Sequence, residues 1–138
     1  MVPDFVLLYA VVIVLLPLVY FAFASLPFLL VRLDVPEVAQ LFRGLFNSYF
    51  WMVAVCGIVG SVAFAAGGRI AFMGGLLLLA IAAVTLRRRT LQQIDAQQAA
   101  LRGGDAAAMR RLRTVHWGTM AANMLVVAFV ASSVRFVL

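Results

Sequence analysis

Long apolar runs separated by short polar ones set the scale of this chain. Apolar residues dominate about 5–31, 45–66, 70–86 and 116–138, and a helix of about 20 such residues crosses the hydrocarbon core of a bilayer. Each run makes its own backbone hydrogen bonds as a helix and leaves its side chains to lipid. Pro17 lies inside the first run and Pro27 near its end. A proline has no N–H and interrupts the helical ladder, so the long first run allows tilt or a kink at Pro17, and a loosened end is expected at Pro27. Gly67-Gly68-Arg69 leaves room only for a tight hairpin between antiparallel helices. The pattern predicts an all-α fold, a polytopic four-transmembrane-helix bundle forming a single domain over 1–138.

The polar stretches also read as helical. Asp34-Val35-Pro36-Glu37 offers an acidic N-cap, a proline in the first turn and a glutamate three residues on, an arrangement that satisfies orphan amides. From there Val38, Leu41, Phe42, Leu45, Phe46 and Tyr49 recur at helical spacing, with Glu37, Gln40, Arg43, Gly44, Asn47 and Ser48 on the other side. The stretch RRRTLQQIDAQQAALRGGD continues the third helix with Leu91, Ile94, Gln98 and Leu101 on one face. Gly103-Gly104 ends it and Asp105 caps the fourth helix. Helices 2, 3 and 4 are therefore expected to extend beyond the bilayer, with a helical hairpin over about 87–115.

Composition places the chain in a membrane. It is 66% hydrophobic and 12% charged, with a mean hydropathy of +1.11, whereas soluble domains are about half apolar and a quarter charged. All 11 cationic residues are arginines, and nine of them fall in the joins between runs one and two and runs three and four. Only Arg69 and Arg135 lie on the other side. The positive-inside rule then puts the joins in the cytoplasm and both termini outside. Absent lysine and abundant Arg, Ala, Gly and Val fit a high-GC bacterial genome, which makes the expected location a bacterial inner membrane with periplasmic termini. The net charge of +6 belongs to a rim facing anionic lipid headgroups, so membrane lipids are expected partners and nucleic acid is not. Ala22-Phe23-Ala24 has a small-x-small look, but no Lys or Arg precedes Phe5 and the run is long, so an uncleaved first helix is expected.

Small residues mark where helices can approach in lipid. Ala54, Gly57 and Ser61 form one stripe, Ala71 and Gly75 a second, Gly118 and Ala122 a third. Reactive groups are few. Cys56 is the lone cysteine and His116 the lone histidine, so neither a disulfide nor a multi-histidine metal or haem site can be assembled within one chain. The six methionines are scattered, and no Asp or Glu lies in the middle of a run, which disfavours proton-driven transport. No catalytic residue, metal or cofactor is expected. Polar groups do collect near the arginine-rich boundary. His116 is level by helix count with Arg43 and Asn47, and Asn123 lies on the same side of its helix about 10 Å deeper. An amide at that depth needs a partner. Two readings stay open for Arg43, Asn47, His116 and Asn123: interhelical hydrogen bonding, or an inward-facing ligand pocket for an anionic or amphipathic molecule.

Two stretches carry a resemblance. DVPEVAQLFRGLFNSYFWM resembles the start of the second helix in the bacterial domain-of-unknown-function 4149 family, itself similar to transmembrane protein 205. Proteins of that family commonly have proline where Asn47 stands. GGDAAAMRRLRTVHWGTMAAN is similar to the approach to that family's last helix, with Val115, His116, Thr119, Met120 and Asn123 at the matching positions. The resemblance implies a four-helix bundle of unassigned activity. The broader group also looks related to copper-resistance membrane proteins and a haem-pathway oxidase, whose ligand histidines have no counterpart here beyond His116.

Poor in reactive groups and rich in small-residue seams, the chain is expected to act as an accessory or scaffold subunit packed against itself, as a homo-oligomer, or against a larger membrane protein complex. A binder or transporter of small molecules or lipid using the inward polar pocket is the alternative. A haem- or quinone-linked oxidoreductase is the third.

Overall fold

The computed structural model describes residues 2–138. Four α-helices account for the architecture: α1 (Asp4–Ala24), α2 (Pro36–Ala66), α3 (Ile70–Arg102) and α4 (Ala107–Ser132). All four are long and apolar enough to cross a membrane. They run up, down, up, down around a ring, with α2 against α3 the most extensive contact and α1 against α4 closing the circle. Short 3₁₀ turns follow α1 at Leu26–Leu29 and α4 at Ser133–Phe136.

α1 ends earlier than its hydropathy indicates. Apolar residues continue to Val31, yet the α-helix stops at Ala24 because Pro27 lacks an amide hydrogen and restricts Leu26 before it. Pro17, by contrast, sits buried within an unbroken helix. The carbonyls left free beyond α1 are bound by an arginine from α4. Arg113 donates to the Phe28 oxygen and, at 2.6 Å, to the Val31 oxygen. A cation placed on the last carbonyls of a helical segment also complements its dipole.

Both tight hairpins use one device. Gly68 (φ +71°) and Gly104 (φ +92°) occupy the left-handed region that only glycine enters freely. The Arg69 amide then bonds the Phe64 oxygen and the Gly68 amide the Ala65 oxygen, while Asp105 and Gly104 repeat the pattern on Ala100 and Leu101. Each is the doubled Schellman closure that satisfies terminal carbonyls.

The acidic caps behave differently from each other. Asp105 does cap α4, its carboxylate accepting from the Ala107 amide at 3.0 Å. The bond from Arg111, with the Ala107 amide second, holds this carboxyl below the usual carboxylate range. Asp34 does not cap α2: the helix starts at Pro36 behind Val35, with no side-chain cap, and Asp34 is instead paired with Arg32 at 2.6 Å. That hydrogen bond lowers the Asp34 carboxyl. A guanidinium two residues away outcompetes backbone amides that proline has already reduced in number.

Along α2 and α3 the residues stay in one antiparallel register. At one end the seam is made of small groups: a Cβ placed on Gly57 would lie 3.2 Å from the Ala80 Cβ and 3.2 Å from the Leu76 carbonyl oxygen. Ser61 donates its hydroxyl to the Met73 oxygen at 3.1 Å. Gly57 and Ser61 of the small-residue stripe therefore seat α3, and Ala54 is buried on the same helix. Toward the arginine-rich end the same seam turns polar. Burial is uneven around the ring. The most apolar window is 39% buried in α1 and 44% in α2, but only 11% in α3 and in α4.

Candidate functional site

The interior of the arginine-rich half is a column of rings between α1, α2 and α4. Phe21 stacks on Tyr49 at 4.1 Å and meets Phe46 edge-on at 5.3 Å; Phe46 lies 4.8 Å from Phe42, which meets Phe28 at 5.5 Å. The i, i+4, i+7 spacing of Phe42, Phe46 and Tyr49 puts all three on one face of α2, and edge-on aromatic pairs add to their burial.

Asn123 closes the deep end of this column. It is 2% exposed. Its side-chain oxygen accepts from the Tyr49 hydroxyl at 2.7 Å, and its amide donates to the Leu18 carbonyl at 2.9 Å. One side chain thus ties α4 to both α1 and α2, which meets the requirement that a buried amide be paired.

His116 lies seven residues earlier, fully buried, with its ring edge-on to Phe42 at 5.4 Å and to Phe46 at 6.0 Å. Among the described residues neither ring nitrogen has a hydrogen-bond partner. Ser25 is the other buried group of this kind among the described residues: it is fully buried and its hydroxyl is likewise unpartnered. The register puts both at one depth. Ser25, the residue that closes α1, follows Leu18 by seven, and His116 precedes Asn123 by seven on α4. From the Leu18–Asn123 contact between antiparallel helices, both lie about 10 Å toward the arginine-rich end, after nearly two full turns. At this level the site offers a hydroxyl, which donates and accepts, and an imidazole, which does one at each nitrogen when neutral.

Arg43 and Asn47 face elsewhere. Arg43 makes a two-pronged pair with Asp95 of α3 at 2.6 and 3.1 Å. The Asn47 side-chain oxygen accepts from Arg87 at 2.9 Å, and that guanidinium also lies 4.8 Å from the Trp51 ring centre. Gln98 donates to the Ala39 oxygen at 2.9 Å. With Asp34, Gln40 and Arg102, the Arg43–Asp95 pair lines a cleft of about 500 Å³ at the arginine-rich end of α2 and α3.

The four residues singled out in the sequence therefore divide into two pairs. His116 and Asn123 stand in the aromatic column, Arg43 and Asn47 in the α2–α3 seam, and of the four only Arg43 lines the cleft. Their levels agree with the helix count but their directions do not. Each residue turns the helix by about 100°, so once Phe46 faces His116 its neighbour Asn47 is carried round to α3. Tyr49, Ser25, Asp95 and Arg87 complete these clusters. Tyr49 was legible only as part of an apolar face, and Asp95 meets Arg43 across 52 residues with no local signal.

Among the described residues no three His, Cys, Asp or Glu side chains gather closely enough to hold a metal ion. Comparison with family models, with curated proteins and with solved structures returns no match.

Proposed function

We propose that the protein is an accessory or scaffold subunit of a bacterial inner membrane, assembling with itself or with a larger membrane complex through the outer face of α4. One observation carries this reading. Three stripes of small residues run along the helices, and the one on α2 is covered by α3, whereas Gly118 and Ala122 on α4 are exposed and a Cβ on Gly118 would meet nothing within 4 Å. In lipid, association rests on close backbone approach rather than on escape from water, so an uncovered small-residue stripe is where a second helix gains most. Trp117, 57% exposed beside it, adds an aromatic edge at the level of the arginine-rich rim.

Disulfide trapping tests the interface. In a Cys56→Ser background, Ala122→Cys is expected to give covalent dimers or adducts in native membranes, and Gly118→Leu to reduce them strongly. A protein that stays monomeric under mild oxidation and co-purifies with nothing would remove this function.

The same reading places the arginine-rich end in the cytoplasm and both termini in the periplasm, because arginine is retained on the cytoplasmic side. Ala96 is exposed on α3 at that end. Ala96→Cys, again without Cys56, should resist a membrane-impermeant maleimide in intact spheroplasts and react after permeabilisation. Labelling before permeabilisation would invert the topology.

A further inference from the structure

A second cleft, of about 750 Å³, opens between α3 and α4 at the end of the bundle remote from the arginine-rich rim. Its α3 wall is low at Ala71, Gly75 and Ala82, and a Cβ on Gly75 would meet nothing within 4 Å, while Phe72, Leu76, Leu78 and Leu79 supply the rest of that wall. Leu125 and Phe129, 73% and 75% exposed, form the α4 wall, and Val14 of α1 and Phe64 of α2 form the floor. The volume falls in the range of ligand sites, about 300–1,000 Å³.

We propose that this cleft holds one acyl chain of an anionic phospholipid, with the phosphate on Arg135. Length is the first argument. From Ala71 to Ala82 the trough runs about 16 Å at 1.5 Å per residue, half of a hydrocarbon core about 30 Å thick, which is the depth of one leaflet.

The fit of the occupant is the second argument. Beside Arg135, Phe72 and Phe136 approach to 6.4 Å and Arg69 donates to the Phe136 oxygen at 2.7 Å, which narrows the trough there. A helix of a second copy, which must run the full width of the bilayer, is about twice as long as this trough, whereas a single acyl chain matches it.

Charge is the third argument. Arg135 is exposed at the mouth with its guanidinium 4.7 Å from the Phe136 ring centre, and among the described residues no carboxylate pairs with it. Besides the Phe136 oxygen, the nearby Arg69 has Asp4 as its one carboxylate among the described residues, at 3.9 Å. A guanidinium with free donors at headgroup level selects phosphate oxygens.

The test uses the full chain in phosphatidylcholine vesicles with a trace of lipid carrying a photoreactive acyl chain, the headgroup being either phosphatidylglycerol or phosphatidylcholine. Cross-links are expected to concentrate between Ala71 and Ala82 and between Leu125 and Phe129, with the anionic probe favoured by about fivefold. Arg135→Gln should equalise the two probes while leaving the cross-linked positions unchanged. Gly75→Phe or Ala71→Phe, which fill open space, should suppress both probes; Gly74→Phe, one residue round the helix and outside the cleft, should suppress neither. Labelling spread evenly around α3 and α4, labelling insensitive to both filling variants, or a second copy cross-linked in the trough would each overturn the proposal.

Discussion

Replacing Gly57 with valine is expected to destabilise the bundle by about 1–3 kcal/mol, the usual cost of forcing extra methyl groups into a packed seam. The reason lies in what surrounds the missing side chain. A Cβ there would already stand 3.2 Å from the Ala80 Cβ and from the Leu76 carbonyl oxygen. Neither neighbour can swing away, since one is held on the next helix by a single bond and the other is backbone. The γ-methyls of valine would therefore have to separate α2 from α3, the most extensive contact in the fold. Gly44→Val supplies the comparison, because a Cβ at Gly44 meets nothing within 4 Å. Thermal unfolding in detergent should show a clear loss for Gly57→Val and little change for Gly44→Val. Equal effects at the two sites would mean that helix propensity, not the seam, governs stability.

Asn123→Leu is the second large effect expected, because the substitution keeps the volume but leaves the Tyr49 hydroxyl buried without a partner. An orphaned buried hydroxyl costs about 1–3 kcal/mol in aqueous proteins, while interhelical bonds measured in membranes average about 0.6 and reach about 1.7. A loss of about 2 kcal/mol is therefore the working figure. The double variant Tyr49→Phe with Asn123→Leu isolates the bond: if the 2.7 Å contact is energetic, the double loss falls short of the sum of the single losses by about 1 kcal/mol. Strict additivity would reduce the contact to a geometric coincidence.

The polar stretches of α2 and α3 show how far local pattern reaches. Leu91, Ile94 and Gln98 share a buried face as their spacing indicates, and so do Phe42, Leu45, Phe46 and Tyr49. Leu41, assigned to that same face by its apolar character, is 67% exposed. One residue before Phe42, Leu41 is carried about 100° round the helix, off the face that Phe42, Leu45, Phe46 and Tyr49 share, so apolar character alone does not mark the interior. The small residues were ambiguous for a related reason. Three stripes look alike in the sequence, yet one seats a helix, one lines an open trough and one faces outward, because what covers a stripe belongs to another segment.

By itself the sequence determined the number of helices, their approximate lengths and the two glycine hairpins, since each depends on the transfer of one segment into lipid or on backbone angles within a few residues. It also placed His116 and Asn123 two turns apart on one face. The tertiary structure alone decided which helix each polar group addresses: Asn123 toward Leu18 and Tyr49, Asn47 toward Arg87, Arg43 toward Asp95, and His116 onto the level of Ser25. Depth follows from counting residues at 1.5 Å each, but direction depends on how each helix is rotated against its neighbours. That rotation is settled by packing summed over all four.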